Sequence, residues 1–269
     1  TEILQTNSAV AINIDNDFGR RLFNELKNNT HVIFTFGQSL DADIKINSIK
    51  QNNHTIDLVL EYKNQMYKST IGMIGKFQAY NVVAAASICI GLGMDPNLIL
   101  KSISYLKPAR GRMEMISTTH NNSIIVIDYA HTPEALSYVL SSIREIAKGK
   151  IITLFGCGGD RDKEKRKTMG KIANKFSDLI IVTDDNPRSE SPSSIRKDIL
   201  AGCPKAEEVS DRNKAINYAI SKLQKNDFLL IAGKGHETFQ TIGMETLPFD
   251  DYTVAKESIR NLRKVREIH

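Results

Sequence analysis

The sequence predicts an α/β protein whose C-terminal half is a doubly wound, largely parallel sheet covered by helices on both faces. From residue 123 onward, short runs of β-branched and apolar residues alternate with segments of helical periodicity. The chain has 269 residues, 41% of them hydrophobic and 25% charged, which is typical of a globular protein of about two domains. Its longest apolar stretches are shorter than the ~20 residues that a membrane-spanning helix requires, so we expect none.

The elements of the C-terminal half follow one another in a regular series. The predicted strands are SIIVID at 123–128, KIITLFG at 150–156, DLIIVT at 178–183, EEV at 207–209 and DFLLIAG at 227–233. The predicted helices cover 132–147, 162–176, 193–200 and 213–223, and a last helix begins at about Thr253. Strands separated by single helices are the pattern of parallel crossover units.

The first 107 residues follow a different pattern. Strands are predicted at 9–14, 31–36, 44–49, 55–62 and 65–71, with the later ones alternating as in hairpins, and a loop at 15–18 precedes a short helix. Helices are predicted at 79–90 and 96–105, separated by Gly91 and Gly93. Because this half opens directly on a strand with no βα unit before it, it has the pattern of the back half of a larger domain.

Proline and glycine in the stretch 107–111 interrupt both periodicities, so we place the domain boundary there, giving domains 1–107 and 108–269. The net charge of +5 is spread along the chain except at 163–171 and 260–266. We interpret these two segments as solvated helix faces and expect no nucleic-acid partner.

The remaining composition points to a reducing compartment. Segment 1–7 carries no export signal, so we expect a cytoplasmic protein. The three cysteines are an odd number without metal-ligand spacing, which favours free thiols and no zinc site.

Four predicted strands end in segments rich in glycine and charge. These segments are DYAHTP at 128–133, GCGGDRD at 156–162, DDNPR at 184–188 and GKGHE at 233–237. Taken alone, GKGHE is more typical of a solvated turn, 156–159 could be only a tight turn before a helix, and His131 is more typical of a capping or packing residue. Because the carboxyl ends of parallel strands meet at one edge of a sheet, we expect the four segments to form one ligand site.

The residue types in these segments favour an amino acid as ligand. A glycine-rich segment at a helix N-terminus beside Arg161 suits an anion. The planar guanidinium of Arg188 matches a carboxylate, and Glu237 offers the opposite charge to an ammonium group.

The same segments carry a resemblance to a known family. Together with GRME at 111–114 and GKFQAYN at 75–81, they resemble the Mur ligases of the MurE type, which add an amino acid to UDP-N-acetylmuramoyl-L-alanyl-D-glutamate. The segment AVAINIDNDFGRRL at 9–22 resembles a late strand of the family's central ATPase domain, and Gly111 onward resembles its C-terminal domain. The resemblance therefore implies a Rossmann-like C-terminal domain preceded by the back half of a central ATP-binding domain.

The resemblance also implies the site residues. In the family the DNPR motif accompanies meso-diaminopimelate as the added amino acid. By this mapping, the diaminopimelate pocket contains Arg161, Asp185, Asn186, Pro187, Arg188, Gly233 and Glu237. The ATP contacts implied in the same way are Asn81, Arg112, Asp128 and His131.

The implied reaction is one step of peptidoglycan precursor synthesis. ATP phosphorylates the D-glutamyl carboxylate, and the amine of diaminopimelate displaces phosphate from the acyl phosphate, with ATP and Mg²⁺ as cofactors. The implied partners are these small molecules, and we expect a monomer.

The sequence departs from the family in two places. No G-x-x-x-x-G-K-[ST] phosphate loop occurs in the 269 residues, so we expect the catalytic groups and the Mg²⁺ ligands upstream of Thr1 and no activity from this chain alone. Gln78 stands where the family often has asparagine. Two other hypotheses stay open, namely a folylpolyglutamate synthetase-like amide ligase and a non-catalytic module that binds a nucleotide or an amino acid.

Overall fold

The computed structural model describes residues 8–29, 31–117 and 122–267, with side chains up to residue 262. Segment 1–7 and most side chains of the basic tail 260–266, to which two of the sequence predictions refer, lie outside this description. The chain divides into two compact units, Thr1–Lys107 and Pro108–His269.

The first unit contains a five-stranded mixed sheet. Its strands lie side by side in chain order: β1 (Ala9–Asn13), β2 (Val32–Gly37), β3 (Ile44–Gln51), β4 (Ile56–Tyr62) and β5 (Gln65–Ile71). The first three are parallel, whereas β3, β4 and β5 pair antiparallel as the alternating pattern predicts. All five predicted strands are thus confirmed.

Three helices accompany this sheet: α1 (Asp17–Leu26), α2 (Lys76–Gly91) and α3 (Pro96–Ser102). Helix α1 begins after Asn16, whose side chain accepts a hydrogen bond from the Gly19 amide. The buried side chains of α2 pack with those of β3, β4 and β5 in one hydrophobic core. The predicted helix 96–105 is wrong in its second part, because Ile103–Tyr105 forms a 3₁₀ turn.

The second unit contains a six-stranded sheet. Its strands are β6 (Glu114–Ser117), β7 (Ile124–Asp128), β8 (Ile151–Phe155), β9 (Leu179–Val182), β10 (Glu207–Glu208) and β11 (Phe228–Ala232), in the spatial order β10-β9-β8-β11-β7-β6. Every neighbouring pair is parallel except β6 and β7. The predicted doubly wound, largely parallel sheet is therefore confirmed.

Five helices connect and cover these strands: α4 (Pro133–Arg144), α5 (Glu164–Phe176), α6 (Pro192–Leu200), α7 (Arg212–Ser221) and α8 (Asp251–Glu267). Strands β7, β8 and β11 are buried along their whole length, as expected for a sheet covered on both faces. Burial of each large aliphatic side chain contributes about 1.5–3 kcal/mol, so these three strands contribute strongly to the hydrophobic stabilisation of the unit. No helix in the described part of the chain is long and apolar enough to cross a membrane.

Two features of the second unit were not predicted. One is the antiparallel edge strand β6, and the other is a hairpin of β12 (Phe239–Ile242) and β13 (Glu245–Pro248). Each of these strands has only four residues, and none carries a continuous apolar run, so periodicity gives no signal for them.

The predicted linker 107–111 is shorter in the structure. The guanidinium of Arg110 pairs with Asp250 at 2.8 Å, and the amide of Gly111 donates to Glu114 at 2.8 Å. Gly111 adopts a φ of 66°, and a Cβ on it would lie 2.1 Å from the amide nitrogen of His236. Arg110 and Gly111 are therefore held by contacts within the second unit, which begins at Pro108.

Candidate functional site

A cavity of about 430 Å³ opens at the carboxyl edge of the second sheet. It is lined by Tyr129, His131, Thr132, Gly156, Cys157, Gly158, Arg161, Asp162, Lys165, Asp185, Asn186, Arg188, Gly233 and Glu237. These residues follow β7, β8, β9 and β11, which are mutually parallel within the sheet. The four strand ends therefore converge on one cavity, as the topology predicts, and that this cavity binds a ligand stays a prediction.

Seven of the eleven predicted site residues line this cavity: His131, Arg161, Asp185, Asn186, Arg188, Gly233 and Glu237. Pro187 is buried behind it, and its carbonyl oxygen accepts the Glu190 amide at 3.1 Å. The roles of all eleven in ligand binding remain predictions.

Arg188 lies half-buried on the wall of the cavity. Its backbone is left-handed, with a φ of 53°, and is held by the hairpin: its amide donates to Thr241 and its carbonyl accepts from Gly243. Its Nη1 donates to the carbonyl of Gly159 at 2.8 Å and to that of Asn186 at 3.4 Å. Among the described residues no carboxylate forms an ion pair with Arg188. Backbone oxygens orient its guanidinium, which remains available to pair with a ligand carboxylate.

The loop after β8 and the loop after β9 are bound to each other beneath Arg188. The carboxylate of Asp160 accepts the amide of Ser189 at 3.1 Å and its hydroxyl at 2.7 Å, and these bonds lower the pKa of Asp160. In return the Asp160 amide donates to Glu190 at 2.6 Å. The two loops therefore hold each other in register.

Glu190 also anchors this pair of loops to helix α5. Its two oxygens accept hydrogen bonds from the buried guanidinium of Arg166 at 2.8 and 3.1 Å. The bonds from Arg166 are the main reason that the pKa of Glu190 falls to about 2. Arg166 also pairs with Asp198 of α6 at 3.0 Å. One buried cation thus fixes the base of the Arg188 loop to two helices.

The acidic side of the cavity is formed by Glu237 and Asp185. Glu237 Oε2 accepts from Asn186 Nδ2 at 2.9 Å and from Lys234 Nζ at 3.2 Å. Asp185 Oδ1 accepts its neighbour's amide at 2.7 Å. Its Oδ2 lies where Gly233 would carry a side chain, because a Cβ there would be 2.7 Å away. A glycine with a φ of 112° is therefore required beside this carboxylate.

The basic side is formed at the start of α5. Lys165 reaches over the cavity and donates to the carbonyl of His131 at 2.8 Å, and Arg161 Nη1 donates to the carbonyl of Asp160 at 3.0 Å. Cys157 also lines the cavity, but burial raises the pKa of its thiol to about 12, so it is not a nucleophile at neutral pH. Lys165 is not among the predicted site residues, although its position one turn after the GCGGDRD segment is a usable signal.

The four residues predicted to contact ATP differ in how much they offer a ligand. His131 Nδ1 bonds to the carbonyl of Tyr129 at 2.8 Å, and Arg112 lies 4.6 Å from the centre of the Tyr129 ring. Asn81, in the first unit, donates to Gln78 at 3.2 Å and is otherwise exposed.

Asp128 is engaged within the second unit. One carboxylate oxygen accepts the amide of Met113 and the other accepts the amide of Ala130, both at 2.8 Å. Its pKa is nevertheless raised, because desolvation by burial outweighs these two bonds. In this structure Asp128 stabilises the turn after β7 and the start of the unit.

The described residues contain no group of three or more His, Cys, Asp or Glu side chains placed to hold a metal ion. None of the described residues is therefore assigned to the Mg²⁺ that the family resemblance implies.

Comparison with known proteins identifies the family. Residues 1–89 match the Mur ligase middle domain, and residues 111–235 match the glutamate ligase domain of the Mur ligases. A curated UDP-N-acetylmuramoyl-L-alanyl-D-glutamate--2,6-diaminopimelate ligase from Fusobacterium nucleatum is 40% identical over 265 residues, which is 96% of this chain and 53% of that protein.

Solved structures agree with this assignment. A UDP-N-acetylmuramoyl-L-alanyl-D-glutamate--2,6-diaminopimelate ligase superimposes with a TM-score of 0.68 at 30% identity, covering 95% of this chain and 54% of that one. A folylpolyglutamate synthase from Mycobacterium tuberculosis, complexed with ADP and AMPPCP, has the same fold, with a TM-score of 0.64 at 17% identity, covering 84% and 52%.

The chain belongs to the Mur ligase family and contains its middle and C-terminal domains. It spans about half the length of the curated relatives that it matches.

Proposed function

We propose that this chain is the amino-acid-binding half of an ATP-dependent ligase that joins meso-diaminopimelate to UDP-N-acetylmuramoyl-L-alanyl-D-glutamate. The observation that carries the proposal is that side chains of both charges line one cavity. Arg161 and Arg188 are positively charged, and Asp185 and Glu237 are negatively charged. Diaminopimelate is a seven-carbon chain with a carboxylate and an amine at each end. A cavity lined by both guanidinium and carboxylate groups suits such a ligand.

Each of these residues then has a role in binding. The guanidinium of Arg188 donates to the carboxylate that distinguishes diaminopimelate from lysine, and Arg161 donates to the other carboxylate near the start of α5. Glu237 and Asp185 take up the ammonium group. The second amine, the nucleophile, is thereby directed toward the open mouth of the cavity, where the acyl phosphate of the acceptor would arrive.

In this proposal His131, Arg112 and Asp128 are the ATP contacts of the second unit, with Asp128 acting through the backbone that it holds, and Asn81 is a nucleotide contact of the first unit. Two observations favour a contact with the nucleotide at the Tyr129 turn: His131 lines the cavity, and Arg112 stacks on the Tyr129 ring. ATP and UDP-linked substrates place the enzyme in the cytoplasm. The phosphorylation step itself needs a phosphate loop, which this sequence does not contain.

The proposal is tested by calorimetric titration of the 269-residue chain with meso-diaminopimelate and with L-lysine. Because lysine lacks the second carboxylate, we expect it to bind at least about 30-fold more weakly. Equal affinities for the two amino acids would refute the role of Arg188 in selecting the substrate.

L-Glutamate separates the proposal from its nearest alternative. A folylpolyglutamate synthetase-like enzyme adds glutamate, so tighter binding of glutamate than of diaminopimelate would favour that alternative. A chain that binds neither amino acid but binds ADP would favour a nucleotide-binding module.

A further inference from the structure

Lys234 is a buried charged residue of the GKGHE segment for which the proposed function has no role. Its side chain is fully buried, and its ammonium group has three acceptors: Asn186 Oδ1 at 3.1 Å, Glu237 Oε2 at 3.2 Å and the carbonyl of Phe239 at 2.5 Å. A buried lysine is rare unless it is paired. Here its partners include two residues that line the ligand cavity.

The contacts of Lys234 determine how Glu237 is presented. Oε2 of Glu237 accepts from both Lys234 and Asn186, whereas the structure gives Oε1 no donor among the described residues. Asn186 is fixed in turn, because its Oδ1 also accepts the amide of Thr241 at 3.0 Å. One oxygen of Glu237 is thus held inward, and the other is left for a ligand.

The cavity also contains a competing set of partners for this carboxylate. Arg161, Lys165 and Arg188 line the same space, and Glu237 is only 20% exposed. When a partly buried carboxylate loses its counter-ion, it forms an ion pair with the next available cation or becomes protonated. Without Lys234, Glu237 would turn toward the guanidinium groups and block the very groups that receive a carboxylate.

We propose that Lys234 is a positioning residue that acts as the internal counter-ion of Glu237 and keeps this acid apart from the cationic groups of the cavity. This inference rests on the proposed function. In this role Lys234 pre-organises the site for a zwitterionic ligand, because Glu237 and the guanidinium groups do not pair with each other before the ligand binds.

The test is a double-mutant cycle in the 269-residue chain with Lys234→Met, Glu237→Gln and both together, titrated with two probes. The probes are meso-diaminopimelate and pimelate, a dicarboxylate of the same length without amines. For pimelate, we expect Lys234→Met to weaken binding by about ten-fold or more, and the double variant to recover to within about two-fold of the wild type, because a neutral glutamine does not block a guanidinium. For diaminopimelate, the double variant should bind no more weakly than Glu237→Gln alone.

A purely structural role predicts a different result. Lys234 also anchors the β12–β13 hairpin through Phe239, and general loosening of the hairpin would weaken pimelate binding equally in the presence and absence of Glu237. Gln240→Ala is the matched control, because it removes another hairpin anchor, the 2.6 Å bond to the Asp185 carbonyl, without touching Glu237. It should leave the cycle unchanged.

Two outcomes overturn the inference: pimelate binding unaffected by Lys234→Met, or a loss that persists in the double variant. If Lys234→Met alone does not fold, the comparison of the double variant with Glu237→Gln carries the test, and a difference above about three-fold contradicts the inference. Failure of the wild-type chain to bind diaminopimelate refutes the proposed function instead, before any variant is compared.

Discussion

Replacing Arg188 by alanine tests the central claim about substrate choice. The guanidinium is half-buried on the cavity wall and is held by the carbonyls of Gly159 and Asn186. Removing one partner of a desolvated arginine–carboxylate pair costs about 2 to 5 kcal/mol, because the ligand carboxylate is left without compensation.

The structure places the expected loss in the lower part of that range. The cavity is open and Arg188 is only half-buried, so a ligand carboxylate left unpaired regains some hydration. We expect about 2 to 3 kcal/mol for diaminopimelate, or roughly 30- to 150-fold in Kd. Lysine binding should change little, since it has no carboxylate for this fork.

The assay is calorimetric titration of the 269-residue chain with both amino acids. Arg144→Ala serves as the control, because Arg144 is exposed and pairs with Asp178 away from the cavity. Arg188→Lys should lie between the alanine variant and the wild type, since it keeps the charge but loses the bidentate geometry.

A loss for diaminopimelate below about five-fold would refute the reasoning. It would mean that Arg188 serves the loop rather than the ligand. In that case its two bonds to carbonyls would account for the whole effect as about 1 kcal/mol of folding stability, and denaturant unfolding of the same variant would reveal it.

Three further predictions concern the chain as a whole. Phosphate release from ATP by this chain, assayed with the UDP-muramoyl dipeptide, diaminopimelate and Mg²⁺, should stay at background, because the chain contains no phosphate loop; turnover would contradict the inference that the reaction needs this loop. A chain shortened to begin at Pro108 should unfold in a single cooperative transition, and insolubility or a gradual transition would show that the boundary is misplaced. Glu190, whose pKa is about 2 in the folded protein against an ordinary 4.5, should stabilise the fold above its ordinary pKa and lose this contribution as the pH falls toward 2. Urea midpoints measured against pH should therefore fall less steeply for Glu190→Gln than for the wild type in this acid range, and parallel curves would contradict the assignment.

The parallel sheet could be predicted because its signal is local. Strands such as β7, β8 and β11 are continuous apolar runs, and each helix between them has its own periodicity. Once the strands are parallel, the placement of their carboxyl ends on one edge follows from topology alone. The cavity was therefore predictable before any side-chain position was known.

The supports of the cavity could not be predicted in the same way. The β12–β13 hairpin holds the 185–188 loop through bonds to Asp185, Asn186 and Arg188, but its own strands are short and mostly exposed. Lys234 stands between two glycines in the sequence and reads as a solvated turn residue. Two of its acceptors, Glu237 and Phe239, are close in sequence, but the third, Asn186, belongs to the loop after β9, and such a non-local contact leaves no trace in spacing or periodicity.

Asp128 and Glu237 show why residue type at a strand end does not by itself define a contact. Both are carboxylates that follow parallel strands of the same sheet, and both were assigned to the site. Asp128 has each oxygen occupied by a backbone amide of its own unit, whereas Glu237 has one oxygen held by Lys234 and Asn186 and the other left open. The two carboxylates differ in how many of their oxygens already accept hydrogen bonds within the protein. That number is determined only when the loops fold against each other. Glu237 therefore has an oxygen available for the direct ligand contact that we propose, whereas Asp128 holds the backbone beside Arg112 and His131.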